Sequence, residues 1–128
     1  MQRFFQLLAR TLPMILVMAT IFFLSGIPGN RLFLPNIDGI DKIAHIVAYG
    51  ILAMTVLYAF GPRIRRLNPR WLTLLVIVVC VLYGITDEYH QSFVPGRTTS
   101  IFDLAADGFG SLLVCTVRNS SFWQRLTL

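Results

Sequence analysis

The run Leu72-Thr73-Leu74-Leu75-Val76-Ile77-Val78-Val79-Cys80-Val81-Leu82 carries no charge and a single hydroxyl. A helix on the surface of a water-soluble domain shows a polar stripe at helical spacing, and this one has none. Extended from Trp71 to Tyr89, the segment approaches the roughly 20 helical residues needed to cross a hydrocarbon core about 30 Å thick. It reads as a transmembrane helix. The whole chain agrees with that reading. Of its 128 residues 55% are hydrophobic and 13% charged, and its mean hydropathy is +0.68. A soluble domain carries about 25% charged residues, so these few could not cover a water-facing surface.

Working outward, three further stretches have the right length. Residues 11–27 are nearly unbroken apolar and end at Ser25-Gly26-Ile27-Pro28-Gly29, with Pro13 expected in the first helical turn, where a missing N–H costs little. Residues 41–60 stop at Gly61-Pro62. Residues 101–117 form the weakest segment because Asp103 and Asp107 interrupt it. Arg3 and Arg10 ahead of a short apolar run would suit a secretory signal, but Phe23-Leu24-Ser25-Gly26 is a poor cleavage site, and retention as a helix is expected. The expectation is an all-α integral membrane bundle of four transmembrane helices, a single domain over residues 1–128. Cys80 and Cys115 fall at different depths of that bundle and are read as small apolar residues without a disulfide.

Four spans place the N-terminus, the middle loop and the C-terminus on one side. That side holds Arg3, Arg10, Arg63, Arg65, Arg66, Arg70, Arg118 and Arg125, against Arg31, Lys42 and Arg97 on the other. Lys and Arg accumulate on the cytoplasmic side, so the topology is N-in/C-in. The formal charge of +5 is therefore membrane anchoring, and nucleic-acid binding is excluded because the basic residues flank apolar runs and form no polar face. Trp71, Phe122 and Trp123 suit the interfacial belt, as do Tyr89 and His90.

All six acidic residues (Asp38, Asp41, Asp87, Glu88, Asp103 and Asp107) lie at the outer end, with both histidines. Orientation does not require this, because Asp and Glu contribute little to it. In the second span Asp41, His45 and Tyr49 stand at i, i+4 and i+8, with Lys42 beside them. In the third, Gly84, Asp87 and Gln91 share a face and Glu88 is about 100° around. In the fourth, Ser100, Asp103 and Asp107 form a stripe that continues to Gly110 and Ser111. Gly84, Ala53 and Gly110 would let the helices approach closely. Asp107 is roughly 10 Å along the helix from Ser100. An unpaired ionisable residue at such depth costs about 2.5–3.5 kcal/mol and points to function; its expected partners are Arg97, Lys42 and His45. Structural roles stand beside these. Ser100-Ile101-Phe102-Asp103 resembles a capping box, and Asp38 or Asp41 would cap the second helix. Pro95-Gly96 suits a type II turn. Arg97 would snorkel to head groups, and His45 would be a packing histidine.

Taken together, Asp41-Lys42-Ile43-Ala44-His45 with Tyr49, then Asp87-Glu88-Tyr89-His90-Gln91-Ser92-Phe93-Val94-Pro95-Gly96-Arg97, then Ser100 and Asp103 ahead of Gly110, resemble the VanZ-like family. Phe23-Leu24-Ser25-Gly26-Ile27-Pro28 is similar to that family's polar-proline ending of its first helix, with Gly26 where a second serine is usual. The resemblance covers about residues 20–115. One departure is Asp107, where an asparagine is expected, which adds a charge. The resemblance implies a small multi-pass protein of the bacterial plasma membrane. The family is named for an association with teicoplanin (glycopeptide) resistance, and the resemblance brings no settled activity.

The function expected is an outward-facing polar pocket that binds, or acts on, a lipid-linked or cell-envelope anionic ligand. As an enzyme, His45 or Glu88 would be general base and Asp87 or Asp103 would orient it, a carboxylate beside a histidine being suited to proton transfer near neutral pH. Arg97 and Lys42 would hold a phosphate or carboxylate. Asp41, Tyr49, Gln91, Ser100 and Asp107 would complete the binding wall. The same residues suit a non-catalytic binder of a lipid head group or envelope precursor. The alternative is structural, a buried ion-pair network that fixes helix packing. Transport is weaker, because the inner halves of the spans carry no polar stripe. His45, Asp87, Glu88 and Asp103 would be the donors for a divalent metal, yet no local metal motif is present and none is assigned. Neither a cofactor nor an oligomeric state is implied.

Overall fold

Helix α1 runs over Gln2–Ser25 in the computed structural model, which describes residues 1–32, 35, 37–66 and 68–120. A 3₁₀ turn at Gly29–Arg31 leads towards α2 (Ile40–Ala59); α3 (Gly61–Arg65), α4 (Pro69–Gln91) and α5 (Ile101–Asn119) follow. Among the described residues there is no strand. Phe122, Trp123 and Arg125 lie outside them.

α1 starts nearer the N-terminus than the hydropathy pattern predicts, because the helix continues through Gln2–Arg10, whose polar residues hide it from a search for apolar runs. Pro13 is consequently inside α1 rather than in its first turn. Its ring removes one donor to the preceding turn, while Thr11 Oγ1 donates to the Leu7 carbonyl at 3.0 Å. The short α3 was not expected. α4 has its cap at Asn68, whose side chain accepts from Arg70 N–H at 3.0 Å, with Pro69 opening the helix. Its far end reaches Gln91, so the whole Asp87–Gln91 motif is helical.

α1, α2 and α4 are long and apolar enough to cross a membrane. α5 has the length, but Asp103, Asp107 and Arg118 keep it from qualifying on composition. The burial pattern is that of a membrane protein. Phe22, Phe23, Leu82, Ile85, Phe102 and Leu113 are exposed, whereas Ser25, Asp87, Glu88, Gln91, Asp103, Asp107 and Ser111 are buried. Apolar side chains face lipid at no cost, and polar ones must find partners inside.

An apolar core of Ile21, Leu52, Val56, Leu72, Val76 and Cys80 fills the bundle below the polar end. Cys80 and Cys115 are buried free thiols. α2 packs most extensively on α5, and small residues set their separation. Gly110 lies against the Ile46 backbone so closely that a Cβ there would collide with the carbonyl, and Gly50 faces Gly110 across the same seam. Gly110→Leu is therefore expected to force α2 and α5 apart, with a loss of about 3 kcal/mol or more by the overpacking scale. A thermal melt in detergent checks this; an unchanged midpoint would contradict the close approach.

At the polar end the loops meet. Arg97 N–H closes a turn on the Val94 carbonyl at 3.2 Å with Gly96 at φ 73°, as the Pro95-Gly96 pair predicts. Gly29 N–H donates to the Pro95 carbonyl at 3.1 Å, which ties the end of α1 to this turn.

Candidate functional site

Three helices deliver the polar side chains. Gly39, whose φ of 81° suits glycine, is the N-cap of α2, and among the described residues no side chain caps it; Asp38 and Asp41 do not take the capping role expected of them. Asp41 instead stands in the first turn, where a negative charge complements the helix dipole. Its Oδ2 accepts from Lys42 Nζ at 2.7 Å, and the same ammonium donates to Asp103 Oδ1 on α5 at 3.2 Å. One turn deeper, His45 Nδ1 lies 2.8 Å from Asp107 Oδ1. Asp107 is fully buried. The room for its carboxylate comes from Gly84 on α4, where any Cβ would overlap Asp107 Oδ2.

The N-terminus of α5 departs from the predicted capping box in an informative way. Ser100 is the N-cap, and its Oγ accepts from Phe102 N–H at 3.1 Å. In a capping box the residue at 103 would reach back to Ser100 N–H. That N–H instead donates to Glu88 Oε2 of α4 at 3.0 Å. Glu88 thus performs the reciprocal half of the cap from another helix, and Asp103 is free to face Lys42.

The expected site residues fall into two neighbouring groups. His45, Glu88 and Asp103 converge: each offers a donor atom, and these atoms lie within 4.8 Å of one another. Asp87, expected among metal donors and as a partner of His45, is outside that trio and accepts from Gln91 Nε2 at 3.0 Å. Neither Asp87 nor Asp103 orients His45 through a hydrogen bond; Asp107 does. The second group lines a cavity of about 270 Å³ that includes Asp41, His45, Tyr49, Asp87, Gln91 and Arg97, with Ser25 from α1. Among the described residues, Arg97 meets no carboxylate. Its Nε and Nη2 donate to the Ser25 and Leu24 carbonyls, each at 3.4 Å, so it holds the C-terminal end of α1 while lining the cavity.

Among the described residues, five buried side-chain polar atoms have no protein hydrogen-bond partner: Arg65 Nε at the opposite end of the bundle, and Tyr49 Oη, Asp87 Oδ1, Glu88 Oε1 and Asp107 Oδ2 together at this one. Buried polar atoms are nearly always paired. A cluster of unpaired ones at one end of a bundle is what a binding site for a polar ligand leaves when its own protein contacts are counted alone.

Two features of this end are not evident from the sequence. An apolar groove of about 460 Å³ between α1 and α2 is lined by Val17, Thr20, Ile43, Val47 and Ile51, and it shares Ile21, Leu24, Ala44 and Ala48 with the polar cavity. The i, i+4 pair Ala44 and Ala48 was its only sequence signal. His90, expected at the interface, stacks on Phe22 with ring centroids 4.1 Å apart, and its Nδ1 is 3.3 Å from Ser25 Oγ.

A family model described as VanZ/LLP1 matches residues 5–118. An uncharacterized protein of the fission yeast Schizosaccharomyces pombe is 32% identical over 74 residues, which cover 57% of this chain and 43% of that protein. The chain therefore aligns with less than half the length of that curated relative. No solved structure matches the chain.

Proposed function

The chain belongs to the VanZ/LLP1 family, and from that premise we propose that it binds an amphiphile, with an anionic head group in the polar cavity and an apolar tail in the adjoining groove. The carrying observation is the shared wall. Ile21, Leu24, Ala44 and Ala48 line both spaces, so one molecule can occupy both without crossing a barrier. The groove's rim residues Leu24, Ile43, Val47 and Ile51 are exposed, which gives a lipid-like molecule lateral entry from the bilayer. Each methylene buried in such a groove contributes about 0.8 kcal/mol relative to water. Arg97, Gln91 and Tyr49 supply donors to the head group, and His45 lines the wall beside them.

In this reading α5 is a fourth span. Its buried side carries Asp103, Asp107 and Ser111, while Ile101, Phe102, Phe109, Leu112 and Val117 face outward. With α5 as that span, the distribution of basic residues supports an N-in/C-in orientation with the pocket on the non-cytoplasmic side. A bacterial plasma membrane is the setting the family resemblance implies, with a lipid-linked envelope precursor as the matching ligand. Were bond-making to follow binding, His45 is placed to be the base, with Asp107 fixing its ring.

Mass spectrometry of lipids retained by the purified full chain tests this. Wild-type protein is expected to retain an anionic amphiphile in stoichiometric amount. Tyr49→Phe removes a buried hydroxyl that has no protein partner, so the ligand-free protein gains stability by about 1 kcal/mol or more while retention falls several-fold. Retention no greater than that of the detergent background, or equal retention by Tyr49→Phe and Arg97→Ala, would remove the pocket from consideration. A structural reading is favoured by one observation, that Lys42–Asp103, His45–Asp107 and Glu88–Ser100 join α2, α4 and α5.

A further inference from the structure

We propose that His45, Glu88 and Asp103 form a binding site for one divalent cation of the Zn²⁺ or Mn²⁺ class. Their donor atoms already lie within 4.8 Å of one another. Donors on a single such ion, at about 2.0–2.2 Å from it, are about 3–4 Å apart, so rotamer adjustment alone closes the trio. One imidazole with two carboxylates is a mixed nitrogen and oxygen set. It suits borderline and hard dications, and the paired negative charges match a 2+ ion.

Two independent features point to a ligand here. Glu88 is 7% exposed, and with Oε2 engaged by Ser100 N–H its Oε1 is buried without a partner. A carboxylate oxygen left unpaired in that setting needs a cation or a donor. The second feature is the Asp107–His45 contact of 2.8 Å at Nδ1. It fixes the ring and leaves Nε2 as the donor to the ion, the arrangement in which metal-ligating histidines are held by an outer carboxylate. Charge balance favours the same conclusion. Asp38, Asp41, Asp87, Glu88, Asp103 and Asp107 lie at this end of the bundle against the permanent cations Arg31, Lys42 and Arg97, and Arg97 is engaged by carbonyls of α1. A dication would offset the surplus and make the neighbouring cavity attractive to an anionic head group.

Lys42 is the competing cation. Its ammonium lies 3.2 Å from Asp103 Oδ1, yet its side chain is 39% exposed and can swing towards Asp41 alone. The inference goes beyond amphiphile binding, and the ion alone is its probe. The full chain, purified in detergent and stripped with chelator, is titrated with Mn²⁺ and followed by electron paramagnetic resonance, with Zn²⁺ as competitor. One Mn²⁺ per chain is expected, displaced by Zn²⁺. Glu88→Gln and Asp103→Asn should each weaken binding at least tenfold. Lys42→Met, which alters only the competitor, should tighten it several-fold. Absence of stoichiometric binding in the wild type overturns the site. So does unchanged affinity in folded Glu88→Gln or Asp103→Asn. If both of those variants fail to fold, Lys42→Met decides, and unaltered or weaker Mn²⁺ binding there overturns the site equally.

Discussion

The His45→Ala variant is expected to lose amphiphile binding by at least tenfold, and any turnover with it, while still inserting into the membrane. His45 is the one side chain that belongs to both groups of the site, lining the cavity and completing the trio with Glu88 and Asp103. Removing a hydrogen bond to a charged partner costs about 1.5–3 kcal/mol, which corresponds to roughly ten- to a hundredfold in affinity. Insertion persists because the apolar length of α2 is unchanged. A sharper form of the same result comes from Gly84, which has no chemistry of its own. Gly84→Ala places a methyl group where Asp107 Oδ2 stands, with Leu104 Cδ2 also near at 3.2 Å. Asp107 must swing away, and His45 Nδ1 loses its partner. Binding should fall nearly as far as in His45→Ala, and stability by about 1–3 kcal/mol. Adding Asp107→Ala to Gly84→Ala relieves the overlap, so the melting temperature should recover while binding does not. Wild-type affinity in Gly84→Ala would sink the claim that Asp107 orients His45.

How much of this was legible in the sequence varies with the distance over which each feature is determined. The apolar spans α2 and α4 were readable to within two residues because lipid exposure imposes an unbroken composition that no other context demands. The start of α1 was not, since Gln2, Arg3, Gln6 and Arg10 are compatible with a helix and with none. Helical spacing also predicts which faces of α2, α4 and α5 are polar, and Gly110 is a point of close approach, as its place on the α5 stripe implies. Partner choice was less accessible. Asp107 was paired with His45 as one of three options, but the catalytic scheme assigned the orienting role to Asp87 or Asp103. Sequence gives the azimuth of a residue on its own helix, whereas the rotation and vertical offset between helices decide which facing residue it meets. Ser100 shows the same limit. Its local pattern with Asp103 is a capping box, and only the arrival of Glu88 from α4 displaces the local partner. The α1–α2 groove depends on three-dimensional separation alone, with Ala44 and Ala48 as its trace.

Reversing the Lys42–Asp103 pair should separate a binding site from a packing device more decisively than any single change. Reversing Asp87 with Arg97 would test nothing, because Asp87 is bonded to Gln91 and Arg97 to the carbonyls of α1. Lys42 and Asp103 do meet, across the α2–α5 seam. Lys42→Asp alone sets three carboxylates together, and Asp103→Lys alone sets two ammonium groups together, so each should destabilise. Combined, opposite charges face one another again, and the long lysine side chain introduced at position 103 can extend to the half-exposed place that Lys42 now occupies. The coupling between adjacent charges, about 0.5–3 kcal/mol, should therefore restore most of the lost stability. A network whose only task is to hold α2 against α5 would regain everything. A site would not, because the reversal removes one of the converging carboxylates and puts an ammonium group beside His45 and Glu88. The expected result is a double variant that melts close to wild type, retains no Mn²⁺ and binds amphiphile at least tenfold more weakly. Full recovery of both stability and ligand binding would leave the polar end of this bundle as packing alone.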